Sequence, residues 1–221
     1  MNIQNKTGKG ITMSKLIIWD WDNTLADTRK AVWAGLQDLV RFYNLPDITE
    51  ADVLNVMTSH RGNFWQQRFG ENIPQAVEFY VQAYRQHTDL VQPFPQALEL
   101  LKAVQEKNIP QVILSNKNEP ALLEEVEKQG LISYFSMIKG TVDFLGKPDV
   151  NFVKPILEKF SPKQVILIGD GISDMLMAQN IGAISILVHQ PNRNLPHTYY
   201  AETLSDVQKY LESLLNEGIN E

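Results

Sequence analysis

Two short clusters hold the four aspartates of this chain that are best placed to do chemistry. The first, Asp20-Trp21-Asp22-Asn23-Thr24, sets two carboxylates two positions apart, directly after the apolar run Leu16-Ile17-Ile18-Trp19. Carboxylates this close repel unless a cation or a shared proton separates them. The second, Gly169-Asp170-Gly171-Ile172-Ser173-Asp174, follows Val165-Ile166-Leu167-Ile168. Its glycines permit a tight turn and close backbone approach, and its aspartates at i, i+4 converge on one point if a helix starts there. Taken singly, each cluster also reads as a turn followed by a helix cap. Together they bring four carboxylates to strand ends. Hard oxygen ligands, with no cysteine in the chain and no clustered histidine, favour Mg²⁺ over zinc or copper.

Two further segments end apolar runs in the same way. Ser115-Asn116 follows Val112-Ile113-Leu114 and offers a hydroxyl and backbone N–H groups to phosphoryl oxygens, or else a turn before Pro120. Gly146-Lys147-Pro148 precedes a helical pattern, and Lys154-Pro155 competes with it as a source of positive charge. A lone lysine is ordinarily a solvated surface residue.

The elements that must position these residues are legible as patterns. The three apolar runs, with Ile184 to Val188 as a fourth, are continuous and not alternating, as in parallel strands buried on both faces. Helices lie between them. Pro95 stands where a first turn starts before Leu98, Leu100, Leu101 and Val104, and Pro120 does the same before Leu122, Leu123 and Val126, with Gly130 as a stop. A capping box at Ser205-x-x-Gln208 is expected to open the last helix. Alternation of strands and helices predicts a three-layer α/β fold, a Rossmann-like parallel sheet with right-handed crossovers. From about Thr28 to Val91 the periodicity is helical only, too long for one crossover, and reads as an inserted helical subdomain. The expected division is a flexible extension over 1–13, a core from 14–27 and 92–221, and a helical cap over 28–91.

Composition narrows the function classes. The 221 residues, 43% hydrophobic and 21% charged, suit a globular protein with a sizeable core. Twenty basic against 26 acidic residues give a net charge of −6, which implies no broad surface for nucleic-acid phosphates. No apolar run approaches the roughly 18 residues of a membrane helix, and the polar start lacks the apolar segment of a signal peptide. The absence of cysteine excludes disulfides and thiolate chemistry. A cytoplasmic protein with no nucleic-acid or membrane partner is expected, as a monomer or homodimer.

With these motifs in order, the chain resembles the haloacid dehalogenase-like superfamily of phosphohydrolases over about residues 14–217. The helical block resembles the small cap of the branch that contains phosphoglycolate phosphatase and β-phosphoglucomutase. Family spacing prefers Lys147 over Lys154. Gln96 stands where relatives often carry glycine, which should affect only entry into the following helix. The resemblance implies Asp20 as nucleophile, Asp22 as general acid and base, and Lys147 as the charge-neutralising residue. It implies Ser115, Asn116 and Trp21 at the phosphate, and Mg²⁺ held by Asp20, the Asp22 main chain, Asp170 and Asp174. Thr24 is expected to brace the Asp20 loop. Asp22 argues against dehalogenation, and the lack of any lysine between Lys30 and Lys102 argues against phosphonate cleavage through a Schiff base. The expectation is a Mg²⁺-dependent phosphatase for a small phosphorylated metabolite. The alternatives are a phosphosugar mutase and a non-catalytic phosphate- or metal-binding module. His60 and Arg61, between two cap helices, are candidates for binding an anionic group on the leaving part, and Phe64 and Trp65 are expected in the cap core.

Overall fold

The computed structural model describes residues 14–58, 63–142, 145–190 and 194–216. The predicted extension over 1–13 lies outside them. The chain runs β1 (Lys15–Trp19), β2 (Ala26–Asp27), α1 (Arg29–Phe42), α2 (Glu50–Thr58), α3 (Asn63–Phe69), α4 (Ile73–Arg85) and β3 (Gln92–Pro93). It continues through α5 (Ala97–Glu106), β4 (Gln111–Asn118), α6 (Glu119–Lys128), β5 (Met137–Thr141), α7 (Val150–Phe160) and β6 (Gln164–Gly169). The last elements are α8 (Ile172–Asn180), β7 (Ile184–Val188), β8 (Tyr199–Ala201) and α9 (Leu204–Asn216).

Six strands form one parallel sheet in the order β5-β4-β1-β6-β7-β8. The period of two along each strand divides its apolar residues between two cores. Ile17, Trp19, Ile113, Ile166 and Ile168 face one side, against α5, α6 and α9. Leu16, Ile18, Val112, Leu114 and Leu167 face the other, against α7 and α8. This is the three-layer Rossmann-like α/β fold that the continuous apolar runs predict. β1 lies in the interior with β4 and β6 on either side, so the three strands that carry the motifs are neighbours.

Helices α1 to α4 occupy the interval between β1 and the next strand of the large sheet. The chain leaves and re-enters through a short antiparallel ribbon, with Ala26 opposite Pro93 and Asp27 opposite Gln92. Inside the block, α1 and α4 pack closely because Gly35 carries no side chain: a Cβ there would lie 3.0 Å from the Tyr84 Cα. An aromatic seam ties the rest, with Phe42 stacked on Phe79 at 4.3 Å and Tyr43 edge-on to Phe69 at 5.4 Å.

The edge strands β5 and β8 are additional to the four strands expected; they carry no continuous apolar run, because an edge strand is not buried on both sides. Two local expectations are corrected. The cap of α9 sits two residues earlier than Ser205: Thr203 donates both its N–H (3.2 Å) and its hydroxyl (3.0 Å) to the Asp206 side chain. Helix α5 starts at Ala97, two residues after Pro95, with Gln96 as its N-cap at φ +67°.

That left-handed conformation costs an L-residue with a Cβ about 1–2 kcal/mol, which glycine avoids at the expense of a floppier unfolded chain. Gln96→Gly is therefore expected to stabilise the fold by about 0.5–1 kcal/mol. In a domain of this size that raises the thermal midpoint by roughly 1–4 °C. Differential scanning calorimetry checks it, and a midpoint that stays put or falls contradicts the assignment of strain.

Candidate active site

The site lies beyond the C-terminal ends of β1, β4 and β6, the edge at which open α/β sheets bind ligands. Asp20 follows the last residue of β1, and its N–H donates to the Ile168 carbonyl on β6 at 2.9 Å. Asp170 follows β6. Asp174 lies in the first turn of α8 and accepts from the Gly171 N–H at 3.2 Å. Carboxylate oxygens of Asp20, Asp170 and Asp174, all buried, come within 4.8 Å of one another. Gly169 is what admits Asp174, since a methyl group at 169 would overlap the Asp174 carboxyl carbon. Gly171 has room for a Cβ, so the second glycine of the motif is not required by contact.

One ammonium stands among these three acids. Lys147 Nζ donates to Asp20 Oδ1 and to Asp174 Oδ1, each at 2.6 Å. Lys154 is exposed and only reaches Glu158 along its own helix, at 3.8 Å, so the competition between the two lysines resolves in favour of Lys147. Asn116 secures the Lys147 loop: its Oδ1 accepts from the Lys147 N–H at 2.7 Å and its Nδ2 donates to the Lys147 carbonyl at 3.3 Å. The Asn116 side chain is thereby committed to positioning the lysine. Ser115 is buried beside it, with its Oγ accepting from the Lys117 N–H at 3.2 Å. Thr24 Oγ1 donates to Asp20 Oδ2 at 3.4 Å, in the bracing position expected of it. Asn23 Nδ2 donates to Asp170 Oδ2 at 2.7 Å, a contact that no sequence pattern singles out.

Three carboxylates against one ammonium leave an excess of two negative charges when all are ionised. Burial is the main force raising the Asp20 carboxyl to about 7; the Asp174 and Asp22 charges add to it, and Lys147 opposes it. Burial also lifts Asp170 well above the ordinary carboxylate range, helped by Asp20 and Asp174. Burial alone would lower Lys147, but Asp174 and Asp20 outweigh it and keep the ammonium charged. The donor set is all oxygen, anionic and short of two positive charges, which fits a hard divalent cation such as Mg²⁺.

Asp22 is elsewhere. Its carboxylate does not belong to the three-acid cluster and lies 2.8 Å from Lys117 Nζ instead. Lys117 also donates to both oxygens of Glu125 at 2.8 Å and to the Tyr84 hydroxyl at 2.7 Å, with the Tyr84 ring centroid at 4.5 Å. The Trp21 side chain is fully buried and donates from Nε1 to Glu125 Oε2 at 2.8 Å, so its one indole donor is already committed. Sequence reading missed Lys117, Glu125 and Tyr84. The signals were a lysine two residues beyond Ser115, and a glutamate in the stripe Ala121, Leu122, Glu125, Val126 on the buried face of α6. His60 and Arg61 lie outside the described residues. Phe64 is in the core as expected, whereas Trp65 is only half-buried and borders the cavity over the site, a cavity of about 720 Å³.

A mostly parallel sheet with acidic residues at the ends of β1 and β6, a lysine between them and a helical insertion after β1 defines a class of hydrolase. The family model described as haloacid dehalogenase-like hydrolase matches residues 17–188. The chain belongs to that family. It is 27% identical over 186 residues to a phosphoglycolate phosphatase of Agrobacterium fabrum, covering 79% of this chain and 80% of the relative. It is 25% identical over 174 residues to the pyrophosphatase PpaX of Bacillus pumilus, covering 75% and 79%. A haloacid dehalogenase-like hydrolase from Streptococcus pneumoniae superposes with a TM-score of 0.80 at 20% identity, covering 90% of this chain and 98% of that one. Within the family these relatives put the chain among the phosphatases. Among the described residues no helix is long and apolar enough to cross a membrane.

The Lys117 cluster makes a test of its own. Removing the ammonium leaves Glu125 buried without its counter-charge, and breaking a buried pair in this way costs about 3–5 kcal/mol. Lys117→Met is expected to destabilise by about that much in urea unfolding, while Lys117→Met with Glu125→Gln, which keeps an acceptor for Trp21, recovers a large part. Equal losses in the single and double variants would show that Glu125 gains nothing from the lysine.

Proposed function

We propose that this chain is a Mg²⁺-dependent phosphatase that hydrolyses a small phosphorylated metabolite through an aspartyl-phosphate on Asp20. The observation that carries the proposal is the buried trio of Asp20, Asp170 and Asp174 around the single Lys147 ammonium, with Asp22 held apart from them. In this reading residues 28–91 form a cap over a core made by 14–27 and the chain from 92 onward.

Asp20, Asp170, Asp174 and the Asp22 main chain would hold the cation, which supplies charge neutralisation between a carboxylate nucleophile and a phosphate dianion. An Asp20 oxygen attacks phosphorus and the bond from phosphorus to the ester oxygen breaks. Asp22 gives its proton to the departing alkoxide, so the alcohol leaves neutral. Asp22, now ionised, takes a proton from a water whose oxygen attacks the same phosphorus, which frees the Asp20 carboxylate and inorganic phosphate. Ser115 and main-chain N–H groups of the Trp21 and Asn116 segments hold the phosphoryl oxygens, and Lys147 balances the charge that gathers on them. Asp20 acts as a carboxylate, so Lys147 and the cation favour the form in which it reacts.

Release of p-nitrophenol from p-nitrophenyl phosphate is expected to require Mg²⁺ and to fall at least about 1,000-fold in Asp20→Asn, given what an activated nucleophile contributes. Turnover that survives this substitution refutes the assignment of the nucleophile.

Charge linkage gives an independent check. With its carboxyl raised to about 7, folded metal-free protein keeps a proton on Asp20 that the unfolded chain releases near 3.8. This group's contribution to stability is complete below about pH 4 and is lost as pH rises through about 7. A cation that binds the ionised trio reverses the trend and displaces protons. The rise in thermal midpoint on adding saturating MgCl₂ is therefore expected to be larger near pH 8 than near pH 5. A rise of equal size at both contradicts binding at these acids.

A further inference from the structure

The reaction above uses the floor of the cavity and leaves its roof without a task. The roof is made by α2, α3 and α4, from which Val56, Met57, Trp65, Ile73, Val77 and Tyr80 border the space. All six are half-buried, shielded from bulk water yet left bare toward the cavity. Trp65 and Tyr80 meet edge to face at 5.5 Å, and Phe69 supports Trp65 from behind at 5.8 Å. Burial pushes the Tyr80 hydroxyl well above its ordinary range, as in a dry environment. The cavity's 720 Å³ falls in the range of pockets, roughly 300–1,000 Å³, that enclose ligands of many atoms, and a two-carbon phosphate ester would leave most of it empty.

Charge points the same way. Among the described residues that border the cavity the only cations are Lys117 and Lys147. Lys147 is committed to Asp20 and Asp174, and Lys117 to Asp22 and Glu125. A second anionic group on the leaving part of a substrate would meet no uncommitted cation among these residues, and an anion desolvated without a partner is costly. An apolar ring would instead pack against Trp65, Val77 and Tyr80, which border the cavity.

Resting on the phosphatase reading, we infer that the preferred substrate is a phosphate monoester whose alcohol carries an uncharged, apolar, ring-bearing group that packs on this roof. The roof selects the alcohol while the floor handles the phosphoryl group.

Three esters whose leaving alcohols are of similar acidity separate binding from leaving-group chemistry: 2-phenylethyl phosphate, ethyl phosphate and 2-phosphoglycolate. With Mg²⁺ present, kcat/KM for 2-phenylethyl phosphate is expected to exceed that for ethyl phosphate by roughly 10–100-fold, the value of burying one ring, and to exceed that for 2-phosphoglycolate as well. Trp65→Ala and Val77→Lys should each shrink the phenylethyl-to-ethyl ratio several-fold, mainly through KM. The two act on different helices, so a folding defect in one leaves the other as a test. Equal treatment of the ethyl and phenylethyl esters overturns the inference. So does a preference for 2-phosphoglycolate, and loss of that preference in Arg61→Ala would then locate the missing cation. If folded protein hydrolyses none of the three, the phosphatase reading has failed, and calorimetry with 2-phenylethylphosphonate and ethylphosphonate decides the roof alone. Tighter binding of the former supports it; equal or no binding overturns it.

Discussion

Lys147 stands where three buried carboxylates converge, and the geometry of the core depends on keeping its ammonium there. Its 2.6 Å contacts to Asp20 and Asp174 join two strand ends that the order β4-β1-β6 makes neighbours. Each supporting feature serves that meeting. Asn116 at the end of β4 pins the Lys147 main chain, Gly169 leaves the volume that the Asp174 carboxylate fills, and Asn23 turns Asp170 inward. Without the ammonium, three acids would share one low-dielectric space, and they could persist only by taking up protons. With it, and with all three ionised, they are still two charges short of balance, which is why burial holds the Asp20 and Asp170 carboxyls above their ordinary range. In its fully ionised form the site has room in its charge balance for a divalent cation, and protons on the raised carboxyls fill the same deficit.

Asp20 and Asp22 are chemically identical and two residues apart, yet the structure gives them different company. Asp20 closes the parallel ladder of β1 and faces the acidic trio. Asp22 turns toward a second ion cluster, in which Lys117 bridges Asp22, Glu125 and Tyr84. That separation keeps the Asp22 carboxylate out of the acidic trio and beside an ammonium of its own. Glu125 completes the arrangement by accepting from the Trp21 indole between the two aspartates, so the residue that parts them is itself held on both sides.

The sheet and the acidic trio were legible in the sequence because parallel strands buried on both faces leave unbroken apolar runs, and because Asp20, Asp170 and Asp174 directly follow or nearly follow those runs. Strands β5 and β8 escaped because an edge strand such as Met137–Thr141 mixes apolar and polar residues. Lys117, Glu125 and Tyr84 escaped for another reason: each is an ordinary residue in its own segment, and only the three-dimensional meeting of β4, α6 and α4 makes them a unit. The Ser205 capping box failed because two overlapping S/T-x-x-D/Q patterns compete, and Thr203 with Asp206 wins because Thr203 directly precedes the first residue of α9. Gln96 shows the converse case. A position where glycine is usual was visible in the sequence, but its left-handed backbone was not.

Tyr84 connects these observations to selectivity. It belongs to α4, a helix of the insertion, yet its hydroxyl accepts from a lysine of the core sheet, and Gly35 sets how near α1 lets that helix come. Burial, together with Asp22 and Glu125, holds the phenol far above its ordinary range, so it stays neutral and can serve Lys117 only as a hydrogen-bond partner. The roof of the cavity is thus tied to the floor through one phenol and one ammonium, beside the Asp22 carboxylate. Among the described residues of that roof that border the cavity, none is charged. The charged groups of the floor and the apolar side chains of the roof are thus separate parts of one cavity, built by different segments of the chain.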